Sequence, residues 1–125
     1  MLIQIPVSLG ELVDKITILS IKTRHLSGDA LVNVQRELAL LEGVLRSCGA
    51  DLQPQERAAL QAVNEERWRI EDAIRLEESK QCFGAAFIAL ARSVYQRNDE
   101  RAALKRAINE RHGSTLVEEK SYTSN

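Results

Sequence analysis

The chain is poor in the residues that stabilise small secreted or metal-dependent domains. Its two cysteines, Cys48 and Cys82, have neither Cys-x-x-Cys spacing nor histidines placed to complete a zinc site. We therefore expect free thiols in a reducing compartment, and neither a metal nor another cofactor. With only 2 prolines and 6 glycines, the sequence also lacks the closely spaced glycines that cradle phosphate in nucleotide-binding loops.

Long apolar runs and an excess of one charge are absent too. No stretch approaches the roughly 20 apolar residues of a membrane-spanning helix, and the start, MLIQIPVSLGELVDK, lacks the basic region of a secretion signal. The formal net charge of -1 argues against general binding to nucleic acid or anionic membranes, which depends on excess Lys and Arg. We therefore expect a cytoplasmic protein with neither nucleic acid nor membrane as a partner.

What the sequence does contain is apolar residues at helical spacing among 28% charged residues. We predict an all-α fold in a single domain, with four helices in two antiparallel hairpins and short extended N- and C-terminal segments. The predicted spans are an extended start at 1–7, helix 1 at 8–26, helix 2 at 29–48, helix 3 at 54–80, helix 4 at 85–112 and a tail at 113–125. Ser8 and Glu11 have the spacing of a capping box at the first helix start.

Helices 1 and 2 each have a surface with two interpretations. One face of helix 1 is either solvated or a second contact surface for a partner helix or a ligand, because Ile18 and Ile21 are apolar where a solvated face does not need them. Its other members are Glu11, Asp14, Lys15, Lys22 and His25. Helix 2 has a heptad-like seam, which either packs on helix 1 or forms half of a subunit interface. The seam consists of Leu31, Val34, Leu38, Leu41, Leu45 and Cys48.

One face of helix 4 changes character along its length. Its first half has an apolar stripe that we predict as core, namely Phe83, Phe87, Leu90, Ala91 and Val94. The same line continues with polar side chains, namely Asn98, Arg101, Lys105, Asn109 and His112. The sequence Asn98-Asp99-Glu100 is also typical of a helix start, so we predict a break or bend near Asn98.

The polar continuation of helix 4 is the candidate site. Its members are Asn98, Asp99, Arg101, Lys105, Arg106 and Asn109. Arg and Lys one turn apart, flanked by amides, can hold a phosphate, a carboxylate or an acidic helix. The alternative is a buried polar network that fixes the register of the bundle, with acidic partners from helix 3, which has 7 acids and 5 bases over 54–80.

The only tryptophan, Trp68, lies off the apolar stripe of helix 3, beside Asp72. A tryptophan among polar neighbours is a lid whose N–H finds a partner, an interface anchor, or a platform for a ligand ring. We expect Trp68 and Asp72 to lie near the polar half of helix 4. The tentative ligand-binding set is therefore Trp68, Asp72, Asn98, Asp99, Arg101, Lys105 and Asn109.

No residue set predicts catalysis. The acids of helix 3 fail the spacing of a magnesium-binding carboxylate stripe, because Arg69 stands where the third acid should follow Glu65 and Glu66. The two histidines, His25 and His112, lie at helix ends with no nearby nucleophile. We therefore expect neither catalytic residues nor a metal site.

Three long segments of the chain resemble an uncharacterised bacterial family, domain-of-unknown-function family 6165. They are IPVSLGELVDKITILSIK, VNEERWRIEDAIR and FIALARSVYQRNDERAALKRAINERHGSTLVEEKSY. The resemblance covers roughly Leu2 to Tyr122 and brings no activity with it. It implies that the EEKSY tail belongs to the domain.

These observations favour a non-enzymatic interaction or assembly module, with a homodimer as the expected state and another protein as an alternative partner. The contact surface would be Ile18, Ile21 and Trp68, or the helix 2 seam. The alternative function is a binding protein or enzyme for a small anion, such as a nucleotide or sugar phosphate, on the Asn98 to Asn109 face.

Overall fold

The computed structural model describes residues 1–116 and residue 119, and this part of the chain contains four α-helices and no strand. They are α1 (Leu9–His25), α2 (Gly28–Ser47), α3 (Pro54–Ser79) and α4 (Ala85–Arg111). The all-α prediction is confirmed, and every helix end lies within a residue or two of its predicted position. The predicted role of the EEKSY segment falls largely outside the described residues. No helix in the described ranges has the length and apolar character needed to cross a membrane.

Local hydrogen bonds and glycines explain most helix ends, but one predicted capping group, the Glu11 carboxylate, has a different partner. The Ser8 hydroxyl accepts a hydrogen bond from the Glu11 N–H at 3.1 Å, which is half of the predicted capping box. The Glu11 carboxylate turns instead to α4, as described below. At the start of α3, the Gln53 N–H donates to the Glu56 carboxylate at 2.9 Å, and the Glu56 N–H donates to the Gln53 backbone carbonyl at 3.0 Å. Gly49 and Gly113, at φ 74° and 64°, follow α2 and α4 as the left-handed glycines that end helices.

Helix α1 is the centre of the packing. It contacts α2 on one side and the α3 and α4 pair on the other. Eight of its 17 residues are buried, whereas α2 has none, so α2 is a covering helix. The central apolar cluster joins α1, α3 and α4 through Val13, Leu60, Val63 and Ile108. The two predicted hairpins are therefore packed together along α1.

The α1 face around Ile18 and Ile21 is buried along one edge only. Gly10, Asp14, Thr17 and Ile21 lie at helical spacing along that edge, and all four are buried. Their stripe packs against α3 and α4, while the Leu12 and Ile16 side of the helix is buried as well. The buried edge is a contact surface within the chain, whereas Lys15 and His25 on the same face are exposed.

Helix α2 has a half-buried side and an exposed apolar side. The seam residues from Leu31 to Leu45 are half-buried, which fits packing on α1, but Cys48 is exposed at the end of the helix and does not take part. Val32, Leu40 and Val44 lie on the outer side and are about half exposed. An ion pair between Glu42 and Arg57 connects the helix to α3.

The predicted core stripe in the first half of α4 is also wrong. None of residues 83–95 is buried, and the buried residues of the helix are Lys105, Ile108 and Asn109. The reason is the difference in length between α1 and α4. Helix α1 is about 26 Å long and α4 about 40 Å at 1.5 Å per residue, so α1 cannot cover all of α4. The helix also runs through Asn98 without a break.

The far end of α4 is joined to the start of α3 by a charged cluster around Glu56. Arg111 donates two hydrogen bonds to the Glu56 carboxylate, at 3.0 and 2.8 Å, and the His112 ring lies 3.2 Å from it. The Arg111 hydrogen bonds dominate over the opposing effect of burial and lower the pKa of Glu56 to about 2, from an ordinary value of 4.5.

This lowered pKa gives an expected pH dependence. A carboxyl whose pKa is lower in the folded state stabilises the fold above the unfolded pKa, here 4.5, and loses that effect as the pH falls towards 2. We expect Glu56→Gln to lower the melting temperature clearly at about pH 5.5 and much less at about pH 2.5. The control is Glu78→Gln, at an exposed acid near the end of α3. An equal loss for Glu56→Gln at both pH values would contradict this assignment.

Candidate functional site

Six of the seven tentative ligand-binding residues fall into two neighbouring places. Asn98, Arg101, Lys105 and Asn109 lie where α4 meets α1 and α3, and all four hydrogen-bond to those helices. Trp68 and Asp72 line a cleft between α1 and α3. Asp99 is exposed on α4 and belongs to neither place.

Asp14 is the centre of the first place, which we call the polar core. Its side chain is 1% exposed, and its carboxylate accepts two hydrogen bonds from the Arg101 guanidinium, one of them at 2.9 Å from Nε to Oδ1. The Asn64 amide donates a third hydrogen bond to Oδ1, also at 2.9 Å. One buried carboxylate thus connects α1 to both α3 and α4.

A chain of hydrogen bonds extends the polar core along α3. The Asn64 amide also donates to the Thr17 hydroxyl at 2.9 Å, and its carbonyl accepts from Arg67 Nη1 at 2.9 Å. Arg67 Nε then donates to the side-chain Oδ1 of Asn98 at 2.8 Å. Each polar group therefore positions the next, across three helices.

A second ion pair and a close backbone approach complete the polar core at the other end. Lys105 is 3% exposed, and its Nζ donates to the Glu11 carboxylate at 2.7 Å. The Gly10 N–H donates to Asn109 Oδ1 at 2.7 Å. A Cβ on Gly10 would lie only 2.5 Å from the Lys105 carbonyl oxygen, so glycine is what allows α1 and α4 to touch.

The charges of the polar core are mutually compensated. Burial raises the pKa of Asp14, but the hydrogen bonds from Arg101 and Asn64 and the charges of Arg101 and Lys105 outweigh it, so the pKa lies below its ordinary value. The acidic partners come from α1, as Asp14 and Glu11, and the expectation that α3 supplies them is wrong. This arrangement supports the interpretation of a network that fixes helix register.

The second place, which we call the Trp68 cleft, has a volume of about 660 Å³. It is lined by Ile18, Ile21, Asn64, Arg67, Trp68, Glu71, Asp72 and Arg75. The His25 ring stacks on the indole of Trp68, with centroids 4.5 Å apart and an angle of 20° between the planes. The indole N–H, for which the lid interpretation requires a partner, has no hydrogen-bond acceptor among the described residues.

Sequence reasoning missed Asp14 and Arg67 as members of these sites. A signal for Asp14 was present, because Gly10, Asp14, Thr17 and Ile21 form a stripe of small, polar and apolar residues on one face of α1. Arg67 had no such signal, since its neighbours Glu66 and Arg69 are ordinary residues of a solvated helix face. Within the described ranges, no cluster of three or more His, Cys, Asp or Glu residues could hold a metal ion.

Comparisons with known proteins agree with the motif resemblance. No curated protein and no solved structure matches the chain. A family model described as a family of unknown function, DUF6165, matches residues 3–125. Because that match covers nearly the whole sequence, this chain belongs to the DUF6165 family.

Proposed function

We propose that this protein is a non-enzymatic assembly module that pairs with a second copy of itself. The contact surface is the free end of the α3 and α4 hairpin, residues 76–95, which we call the hairpin tip. The observation that carries the proposal is the exposure of the apolar half of α4. This surface differs from the predicted ones, because Ile21 is buried and Trp68 lies in a cleft.

The hairpin tip exposes large apolar side chains from both of its helices. Leu76, Phe83, Ile88 and Tyr95 are each about half exposed, with Ile88 at 56%. Phe83 packs edge to face on Phe87, with centroids 5.3 Å apart. Several large apolar side chains exposed in one region of a protein are typical of a site of association.

Charge and shape favour a second copy as the partner. Residues 81–91, QCFGAAFIALA, contain no charged side chain, so two tips can meet without repulsion between like charges. Acids and bases flank this run, with Glu77 and Glu78 on α3 and Lys80 and Arg92 at its edges. A two-fold axis would bring two such hairpins together as a four-helix bundle, a common way to bury the exposed side of a helix pair.

The test compares two apolar-to-acidic substitutions of similar exposure. By sedimentation velocity, we expect the unaltered chain to be a dimer at about 50 μM, Ile88→Glu to be a monomer, and Leu40→Glu to remain a dimer. Leu40 is 51% exposed on the outer side of α2, so it controls for the introduced charge. Circular dichroism and melting curves verify that both variants are folded.

Two results would overturn the proposal. One is a monomeric unaltered chain at that concentration. The other is a dimer that survives Ile88→Glu and dissociates with Leu40→Glu, which would move the interface to the outer side of α2.

A further inference from the structure

The Trp68 cleft contains a half-buried cation that forms no ion pair with the described residues. Arg67 is half-buried and uses Nη1 and Nε on the amide oxygens of Asn64 and Asn98. Its Nη2 has no acceptor among the described residues, and no described carboxylate forms a salt bridge with the guanidinium. Burial and the nearby charge of Arg101 lower the pKa of Arg67 more than the charges of Asp14 and Glu71 raise it. An anion that hydrogen-bonds to Nη2 would add a closer counter-charge.

A second guanidinium extends the cationic side of the cleft. Arg75 lies two helical turns beyond Arg67 on α3, and both line the cleft. Arg75 is exposed and has no ion-pair partner in the described part of the chain. Two guanidiniums on one wall can hold a phosphate or carboxylate by charge-assisted hydrogen bonds.

The rest of the cleft suits a flat ring. Ile18 and Ile21 on α1 provide apolar surface, and Trp68 provides an aromatic plane that is already held by its stack on His25. Glu71 and Asp72 contribute carboxylates that can accept hydrogen bonds from amino groups on such a ring. The volume of about 660 Å³ lies within the range of small-molecule sites.

We propose that the Trp68 cleft binds a small aromatic anion, a planar ring that bears an amino group and one phosphate or carboxylate. The ring lies between Trp68 and the two isoleucines, and the acid group lies on Arg67 and Arg75. This site differs from the predicted Asn98 to Asn109 face, where Arg101 and Lys105 are bound to carboxylates of α1. It is independent of self-association, since the hairpin tip and the cleft use different residues.

The probes separate the ring from the acid group. Because Trp68 is the only tryptophan, its indole N–H gives a single cross-peak in a ¹H–¹⁵N NMR spectrum. We expect adenosine 5′-monophosphate, 4-aminobenzoate, or both to shift this peak at concentrations up to about 5 mM. The one that binds more tightly is the better probe for the variants below. Adenosine and inorganic phosphate, each with half of the required chemistry, are expected to leave the peak nearly unmoved.

Two substitutions in the cleft are expected to change the affinity for the probe in opposite directions. Arg75→Gln is expected to weaken binding of the better probe by roughly fivefold to tenfold. Glu71→Gln is expected to strengthen it by about twofold to fivefold, because the glutamine keeps an acceptor oxygen for the amino group and removes a negative charge that repels the acid group. Both residues are exposed, so neither change should prevent folding. Arg92→Gln removes the same charge from an exposed position on α4 outside the cleft and is expected to have no effect.

Three results would overturn this proposal. The first is an indole peak that neither ring-bearing anion moves. The second is equal binding of adenosine and its monophosphate. The third is an Arg75→Gln chain that binds as tightly as the unaltered chain.

Discussion

Replacing Asp14 with alanine is expected to lower the free energy of unfolding by about 3 kcal/mol. The substitution leaves the Arg101 guanidinium and the Asn64 amide at the centre of the polar core without their common acceptor. Breaking a buried ion pair usually costs about 3 to 5 kcal/mol. The low end applies because the Arg101 side chain is 26% exposed and regains some contact with water. Urea unfolding followed by circular dichroism measures the loss.

The matched control for Asp14→Ala is a substitution of Asp99, an aspartate of the predicted ligand-binding set. Asp99 is exposed on α4, so Asp99→Ala is expected to change the free energy of unfolding by less than about 0.5 kcal/mol. If the two substitutions had similar small effects, the polar core would not be a structural network. Arg101→Ala would then be expected to leave stability intact as well, in keeping with a binding surface.

The second large effect is expected at Gly10, where α1 and α4 touch. Alanine is the better helix former by about 1 kcal/mol, so an isolated helix would gain stability from Gly10→Ala. In the folded protein, the new Cβ would lie 2.5 Å from the Lys105 carbonyl oxygen and 2.9 Å from Asn109 Oδ1. The two helices must separate, which weakens the Gly10 to Asn109 hydrogen bond. We expect a net loss of about 1 to 3 kcal/mol in the free energy of unfolding.

Gly43 provides a control with the opposite expected sign. It lies inside α2, and a Cβ there would meet only the Arg46 guanidinium at an ordinary distance of 3.7 Å. Gly43→Ala is therefore expected to raise the free energy of unfolding by about 0.5 to 1 kcal/mol. A stabilising effect of Gly10→Ala in the same urea experiment would show that α1 and α4 do not approach as closely as described.

The helices and their ends could be predicted because their signals are local. Ser8, Pro54 and the glycines that follow α2 and α4 act on residues within one turn of themselves. Periodicity then identified the apolar side of each helix. These signals hold regardless of what each helix packs against, so the all-α fold followed from them.

Which half of α4 lies inside could not be predicted in the same way. Both the apolar stripe at Phe83 to Val94 and the polar line from Asn98 onwards have helical spacing. The structure covers the polar half, because α1 reaches Arg101, Lys105 and Asn109 and stops short of the hairpin tip. This outcome depends on the relative lengths and positions of α1 and α4, which no local pattern contains.

The sequence predicts the α4 residues of the polar core but not their partners on α1. Arg101, Lys105 and Asn109 are recognisable because they interrupt an apolar line. Their partners Asp14, Glu11 and Gly10 lie 87, 94 and 99 residues away in the sequence. On α1 those partners look like residues of a solvated face. A buried charge and its counter-charge are recognised together only when the fold brings them together.

The central claim is that α4 has two roles, a polar half that holds the fold together and an apolar half that meets a second copy. Hydrogen–deuterium exchange of the unaltered chain, measured below and above the dimerisation concentration, tests both roles at once. We expect residues 98–111 to be equally protected at both concentrations, and residues 83–94 to exchange more slowly at the higher one. Protection of residues 83–94 that does not depend on concentration would contradict the claim.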